Sequence, residues 1–308
     1  MKQRLNPVKQ RFHLLPTLLL MFLFHLPTVH SSAQELDYER VHELVVAQDD
    51  AALDTLLTRW YYSGLYPADV LNYHYNELQG MDDWGIYLAM SESNLVGKLI
   101  LQRVLHVHRD KVLVDVNALY DSTYMATMCR RMEVPVPQEY FGDGRFVLMT
   151  QWVGRHAKRQ VYLSASAMNM ICHPAYLDAN DPQALHIDSV ATELKSCLYN
   201  EGLTMHYART PYNNIVVKCR NLEQRYLLDY LRMTFTPPRG KEQEGALSFT
   251  RSTLAENYRI LYEGLLPYYR AHRPERLAWL EQLIRDALNY RRMQERRERE
   301  YNQVSRLL

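Results

Sequence analysis

Polar side chains follow three predicted strands at the point where each strand ends. Because open parallel sheets bind ligands beside the carboxyl ends of their strands, this edge is the predicted functional site. The helix that starts near Asn94 could bind an anion or a sugar hydroxyl at its amino end. The loops contain Ser91, Glu92, Ser93 and Asn94 after the first strand, Asn117, Tyr120 and Asp121 after the second, and Ser164, Ser166 and Asn169 after the third.

Within this edge, Glu92, Asn94, Asp115 and Asn117 are the candidates for ligand binding. Helix capping is a simpler explanation for some of these residues, since Ser and Asn are preferred at helix amino ends. The turn after the first strand lacks the Gly-x-Gly-x-x-Gly pattern of dinucleotide sites. Asp82 and Asp83 precede the first strand, at the wrong end for such a site, and are predicted turn residues.

Sequence signatures of known catalytic machinery are missing. The chain contains neither Gly-x-Ser-x-Gly nor Gly-x-x-x-x-Gly-Lys, and no nucleophile or acid–base pair is identified. No cofactor is predicted, and no catalytic residue is assigned. An enzymatic role stays open, although a non-catalytic one is favoured.

The histidines and cysteines do not form a predicted metal site. His106 and His108 alternate at the predicted end of a helix, where positive charge favours the helix dipole, and no third ligand can be placed. The cysteines could form one or two disulfides in an oxidising compartment, or act as small buried apolar side chains. They are widely spaced and include no Cys-x-x-Cys pair: Cys129, Cys172, Cys197 and Cys219.

The N-terminal segment has the order of a secretory signal peptide. Four basic residues come first, an apolar run from Leu14 to Leu26 follows, and small and polar residues end at Ala33. Cleavage is predicted after Ala33, which indicates a periplasmic or secreted product without a membrane span. The alternative is an uncleaved anchor, although the run is short of the roughly 20 apolar residues that a span needs.

The charge of the chain argues against general binding to nucleic acid. Removal of residues 1–33 leaves 32 basic and 35 acidic residues, a formal net charge of −3. The segment from Arg291 to Glu300 mixes both signs and predicts a solvated helix end with ion pairs along the helix.

Apolar periodicity predicts an α/β protein with a small, mainly parallel sheet, preceded by helices. Helices are expected from Leu36 to Gly80, with Asp49 capping the second and Pro67 opening the third. Strands and helices then alternate, as expected for right-handed crossovers between parallel strands. The predicted strands are Trp84–Met90, Lys111–Val116 and Gln160–Ala165, the predicted helices are Leu95–Val107, Ser122–Met132 and His186–Leu198, and 203–208 and 215–218 are predicted to be extended.

The end of the chain is predicted to be a helical hairpin. Residues from Thr236 to Gly245 form an expected exposed connection, and helices follow from Ser252 with a hinge near His272 to Pro274. A single tetratricopeptide-like pair cannot stand alone, so it must pack on the α/β part or on a partner. The predicted domains are a helical lead-in at 34–80, an α/β domain at 81–235 and the hairpin at 246–308.

Tyrosine is frequent, with 23 residues. A tyrosine side chain combines an apolar face with a polar tip, which suits half-buried interfaces and stacking on carbohydrate. The alternative is ordinary packing between helices. Local clusters comprise Tyr61, Tyr62 and Tyr66, then Tyr73 and Tyr75, and finally Tyr258, Tyr262, Tyr268 and Tyr269.

The segment from Trp60 to about Tyr124 carries a resemblance to a known family. Strand Trp84–Met90 leads into the turn Ser91–Asn94, a helix, and a strand that reads Asp-Lys-Val-Leu-Val-Asp-Val-Asn from Asp110. This order resembles the soluble C-terminal module of glycosyltransferase-like multipass membrane proteins of Bacteroidota. The same module occurs in related periplasmic proteins with tetratricopeptide-like helices. Gly202–Tyr207 and the final helix pair also fit.

The turn is where the chain departs from that family. Its Gly-Asp-Asn-Asp turn appears here as Ser91-Glu92-Ser93-Asn94, which keeps one carboxylate. If the turn binds a metal or a sugar in relatives, the resemblance implies that this site is lost or altered here. No catalytic residue is carried over, and no membrane transferase domain is present in the chain.

Together these patterns favour a non-catalytic interaction or scaffold protein of the cell envelope. Its expected partner is an envelope protein or an oligosaccharide, docked on Tyr-rich faces and on the terminal hairpin. A subunit of a secretion or surface assembly fits the same sequence. The alternative is an enzyme or binding protein of cell-surface carbohydrate metabolism with its site at the strand ends.

Overall fold

The computed structural model describes residues 36–138, 144–164, 167–172, 182–229 and 241–305. The predicted leader at 1–33 and Ser166 lie outside these residues, as do the side chains of Glu92, Asn169 and Cys172. Across the described ranges, no helix is long and apolar enough to cross a membrane.

Three helices precede the sheet, as predicted. They are α1 (Tyr38–Val46), α2 (Asp50–Tyr62) and α3 (Ala68–Gly80). The side chain of Asp37 caps α1 by accepting from the backbone N–H of Arg40, and that of Asp49 caps α2 by accepting from Ala52. The cap at Asp49 confirms the sequence interpretation.

The sheet has five strands in the order β2-β1-β3-β5-β4. β1 pairs in parallel with both β2 and β3, while β5 is antiparallel to β3 and to β4. The sheet is therefore mainly parallel, which confirms the predicted fold class. The strands are β1 (Ile86–Ala89), β2 (Val112–Asp115), β3 (Val161–Ser164), β4 (Leu198–Asn200) and β5 (Thr204–Tyr207).

Both faces of the sheet are covered, so every residue of β1, β2 and β3 is buried. Alternate residues point to opposite faces: Ile86 and Leu88 join the core under α5, α6 and α8, whereas Tyr87 and Ala89 join the core under α2, α3 and α4. Strands buried on both faces read as continuous apolar runs, which is why no clean alternation marks them in the sequence.

Helices connect the strands and cover the sheet. They are α4 (Glu92–Leu99), α5 (Ser122–Met132), α6 (Arg145–His156), α7 (Ala167–Cys172), α8 (Pro182–Cys197) and α9 (Asn214–Arg220). π-helical turns at Ile100–Val104 and Asn221–Arg225 extend α4 and α9. α5 has the predicted bounds, and α4 begins at Glu92 and not near Asn94.

Two segments differ from the sequence interpretation. Residues 215–218 form a helix and not an extended segment: the side chain of Asn213 caps α9, and Cys219 faces the core while Val216 faces solvent. The predicted helix through Leu198 ends at Cys197, and Leu198–Asn200 form the edge strand β4. β-branched residues in 215–217 favoured a strand, but the cap and the packing of one helix face decide the conformation.

The C-terminal hairpin consists of α10 (Lys241–His272) and α11 (Leu277–Ser305), joined by a short 3-10 turn at Pro274–Arg276. The hinge near His272 is confirmed, whereas Lys241–Gly245 belong to α10 and not to an exposed connection. The hairpin shares a core with α3 and α9, so it packs on the chain itself. Ion pairs between Arg291 and Glu295 and between Arg296 and Glu300 confirm the predicted helix end.

Most clustered tyrosines lie in the interior. Tyr73, Tyr258, Tyr262 and Tyr269 are fully buried where the hairpin meets α3 and α9. Their side chains therefore pack the hairpin against the rest of the chain. The expectation that these tyrosines form a docking face is wrong for them, whereas Tyr62 is 77% exposed.

Candidate functional site

The carboxyl ends of β1 and β2 lie side by side, because the two strands are adjacent and parallel. The chain passes from β1 to β2 on one side, then returns to β3 on the other side of β1. This reversal lies between β1 and β3, and open parallel sheets bind ligands in the crevice at such a point. Asp115 ends β2 and Asn117 follows it, on the other side of β1. Ser91, Asn94, Asp115 and Asn117 lie at or beyond the carboxyl ends of β1 and β2.

Asp115 ends β2, and its side chain is completely buried. Its Oδ2 lies 2.9 Å from Nδ1 of His42 on α1, and its Oδ1 accepts from the backbone N–H of Asn117 at 2.9 Å. The backbone N–H of Asp115 donates to the hydroxyl of Tyr124 at 3.0 Å. Asp115 therefore positions α1 and the loop after β2, and its carboxylate does not face solvent.

Asn117 connects the ends of β1 and β2. Its side chain donates to the carbonyl of Met90 at 3.0 Å, and its own carbonyl accepts from Nη1 of Arg145 at 3.0 Å. Asn117 is exposed, and it begins a short 3-10 turn that ends at Tyr120. One residue thus links two strand ends to the first residue of α6.

Tyr120 presents an aromatic ring at this edge. It is 50% exposed. The imidazole of His42 lies 6.0 Å from its ring centroid, and the guanidinium of Arg145 lies 5.7 Å from the same centroid. The ring therefore lies near one group from α1 and one from α6. We call the patch formed by His42, Asn117, Tyr120 and Arg145 the strand-end surface.

The start of α4 borders this surface. Ser91 and Ser93 bond to each other through their hydroxyls at 3.0 Å, and the side chain of Ser91 does not cap the helix. Asn94 is half-buried, and its carbonyl accepts from the ammonium of Lys98 at 2.8 Å. By contrast, the side chain of Asp121 accepts from the backbone N–H of Tyr124 and so caps the amino end of α5.

Among the four predicted ligand-binding residues, the structure joins Asp115 and Asn117 directly. Glu92 is the first residue of α4, and its side chain lies outside the described set. Sequence reasoning did not single out His42 or Arg145, which meet Asp115 and Asn117 across 73 and 28 residues of chain. Nothing in their local sequence distinguishes them from other surface residues.

A fully buried ionic cluster lies behind α4. The ammonium of Lys98 is 2.5 Å from Oε2 of Glu77 and 3.0 Å from Nδ1 of His74, and it lies 4.2 Å from the ring centroid of Tyr87. The Tyr87 hydroxyl donates to Oε1 of Glu77 at 3.0 Å. This cluster fixes α4 against α3 and β1.

Protonation in this cluster follows from burial and close charges. Burial and the charge of Lys98 lower the pKa of His74 to about 4. Burial acts to raise the pKa of Glu77, but Lys98 and His74 hold it below its ordinary value. Burial lowers the pKa of Lys98, and Glu77 opposes that change. The paired state is therefore Glu77 carboxylate, Lys98 ammonium and neutral His74.

A second polar cluster lies where β5 ends beside the start of β3. Nδ1 of His206 is 2.9 Å from the hydroxyl of Tyr212 and 3.2 Å from Oε1 of Glu201. Its Nε2 is 2.6 Å from Oε1 of Gln160, and Tyr162 stacks on the ring. These groups pair with one another and join the β4–β5 edge to β3.

The described residues contain no group of three or more side chains that could hold a metal ion. His108 instead contacts the ring of Tyr75 at 4.9 Å between centroids. Cys129, Cys197 and Cys219 are free thiols, and burial raises the pKa of Cys129 to about 11. Comparisons with protein-family models, with curated proteins and with solved structures find no match to this chain.

Proposed function

We propose that this chain is a non-catalytic interaction protein of the cell envelope, periplasmic or secreted, whose partner docks on the strand-end surface. The observation that carries the proposal is the half-exposed ring of Tyr120, which lies near His42 and Arg145 in the same turn as the exposed residue Asn117. Large aromatic side chains and arginine are enriched where proteins bind partners.

Two further observations support this proposal. The sequence order of the first 33 residues is that of a secretory signal, which directs a chain out of the cytoplasm. The only acid of the predicted set whose side chain is described, Asp115, is buried and bonded on both oxygens. A general base needs access to the proton that it removes, so Asp115 fits a positioning role better than a catalytic one.

Site-specific photo-crosslinking in the producing cell tests the proposal. A benzophenone side chain replaces Tyr120 in one variant and the exposed Tyr62, on α2, in a matched control. We expect the chain in the envelope or medium fraction, with a recurrent adduct at position 120 and not at position 62. Retention of the full-length chain in the cytoplasm, or identical adducts at both positions, contradicts the proposal.

A further inference from the structure

We infer that the chain binds a phosphate group through the side chains of Gln294 and Arg297 on α11, where the hairpin meets the amino end of α3. The observation that carries the inference is the side-chain amide of Gln294, which is completely buried. Neither its nitrogen nor its oxygen has a hydrogen-bond partner within the described part of the chain. The site does not include the strand-end surface, so the inference goes beyond the proposed function and does not depend on it.

A buried amide without hydrogen bonds is unusual in a folded protein. Nearly all buried polar groups have a partner, and a bound ion or water is a common explanation where the protein itself supplies none. The amide of Gln294 offers two N–H donors and one carbonyl acceptor. A group that both accepts and donates hydrogen bonds therefore offsets the cost of its burial.

A second orphaned donor lies three residues further along α11. Nη1 of Arg297 is buried without a hydrogen-bond partner, and its guanidinium forms no ion pair with any residue that the structure describes. Residues three apart on a helix share a face, with Cβ atoms about 5–6 Å apart, so Gln294 and Arg297 are neighbours. By contrast, the intervening Arg296 pairs with Glu300.

The surroundings of these two side chains carry an excess of positive charge. One turn before Gln294, the Tyr290 hydroxyl donates to Asp69 in the first turn of α3, and Arg251 donates to the same carboxylate. Burial and Asp69 raise the pKa of the Tyr290 hydroxyl, whereas the charges of Arg251 and Arg297 act to lower it. Arg297 therefore lies within electrostatic range of this carboxylate site. Two guanidinium groups and the positive end of α3 are matched by one carboxylate, and a bound anion corrects that imbalance.

A phosphate group that keeps one proton matches both orphaned side chains. Its ionised oxygens accept from the amide nitrogen of Gln294 and from Nη1 of Arg297, and guanidinium groups are preferred partners of phosphate. Its P–OH group donates to the carbonyl oxygen of Gln294, which a sulfate ion cannot do. Inorganic phosphate and phosphate monoesters share this chemistry.

Binding of inorganic phosphate to the full chain tests the inference. The chain is recovered from cells that express all 308 residues, and phosphate is titrated at pH 6 and constant ionic strength by calorimetry and thermal denaturation. Sulfate and methyl phosphate are titrated in parallel, and about half of a monoester keeps its proton at pH 6, because its second pKa is about 6. We expect saturable binding of phosphate that raises the melting temperature and is about tenfold or more tighter than binding of sulfate.

The ester distinguishes the two sources of the phosphate group. Binding of methyl phosphate that equals or exceeds binding of inorganic phosphate assigns the site to a monoester on a larger molecule. Weaker binding of the ester assigns the site to the free ion. Either result supports a phosphate site.

Three variants make the test specific. Gln294→Leu and Arg297→Met should each weaken phosphate binding about tenfold or more, because each removes a hydrogen bond to a charged group. Without phosphate, Gln294→Leu should melt at the same temperature as the unsubstituted chain or higher, since an apolar side chain replaces an unpaired buried amide. Arg296→Met, at the neighbouring exposed position, is the matched control and should leave binding unchanged.

Three results would overturn the inference. They are the absence of saturable phosphate binding, binding of sulfate that is as tight as that of phosphate, and equal effects of Arg296→Met and Arg297→Met. Arg297 is only partly buried, so Arg297→Met keeps the test valid if Gln294→Leu does not fold.

Discussion

The ammonium nitrogen of Lys98 lies 2.5 Å from Oε2 of Glu77, and both side chains are completely buried. Lys98 belongs to α4 and Glu77 to α3, so the pair joins the helix beside the strand-end surface to the N-terminal helices. The ammonium also contacts His74 and the carbonyl of Asn94. A buried charge that is matched in this way is costly to leave unpaired.

Replacement of Lys98 by Met should therefore destabilise the chain strongly. Met has similar volume, but the change leaves the Glu77 carboxylate buried without its cation, and loss of one partner of a buried pair costs about 3–5 kcal/mol. The free energy of unfolding, measured by urea denaturation, should fall by that amount. A loss below about 1 kcal/mol would contradict a paired ionic cluster.

A second substitution in the same background separates charge from packing. Glu77→Gln added to Lys98→Met removes the unpaired charge and keeps an oxygen that accepts from Tyr87. The double variant should regain part of the lost stability, because burial of a neutral amide costs less than burial of a carboxylate. Equal stability of the single and double variants would show that the cost arises from packing.

Acid should destabilise the chain from below about pH 6.5. His74 is neutral in the fold, with a pKa of about 4, whereas an unfolded histidine takes up its proton near pH 6.5. The unfolded state binds more protons in this window, so the free energy of unfolding falls as pH drops, by up to about 3 kcal/mol from this residue.

Glu77 extends the loss to lower pH. Its lowered pKa gives stability that is present above the ordinary carboxyl range and is lost as pH falls from that range through the lower pKa of the folded state. Urea denaturation at pH 7, 5.5 and 4 measures the combined slope. In the His74→Gln variant, the free energy of unfolding should depend less on pH between pH 6.5 and 4. If its dependence on pH is the same as in the unsubstituted chain, other groups cause the acid sensitivity.

The parts of the fold that could be predicted depend on local signals. Asp49 marks the start of α2 because its cap contact lies within one turn, and the apolar spacing of 122–132 gives the bounds of α5. The strand-end site was predicted only in part, because His42 and Arg145 reach it from distant positions. The buried position of Lys98 could not be predicted from the sequence, since one lysine in an apolar helix is ordinarily a surface residue.

Gly97 is required by the same cluster. A Cβ atom at this position would lie 2.0 Å from Cδ2 of His74, so Gly97→Ala must displace the imidazole or the helix. We expect a loss of about 1–3 kcal/mol in the free energy of unfolding, as for an overpacked core. Gly264, in α10, has open space around its Cβ position, and Gly264→Ala should stabilise by about 0.5–1 kcal/mol. Urea denaturation of both variants makes the comparison, and equal effects would contradict the steric argument.

The hairpin is fixed to α3 by a second buried acid. The guanidinium of Arg251, on α10, donates to Oδ2 of Asp69 at 2.7 Å, and the Tyr290 hydroxyl, on α11, donates to the same oxygen at 2.5 Å. Tyr290→Phe removes one charge-assisted bond and should cost about 1.5–3 kcal/mol, because hydrogen bonds to ionised groups are stronger than neutral ones.

Hydrogen exchange shows which part of the chain loses stability when Tyr290 is replaced by Phe. Amides of α10 and α11 should exchange faster in Tyr290→Phe, while those of β1 and β2 change less, because the lost bond joins only the hairpin to α3. Tyr62→Phe, at an exposed position, is the matched control and should leave exchange unchanged. If amide protection from exchange in the Tyr290→Phe variant falls equally in the hairpin and in the sheet, the two parts unfold as one unit. The bond to Asp69 then does not stabilise the hairpin alone.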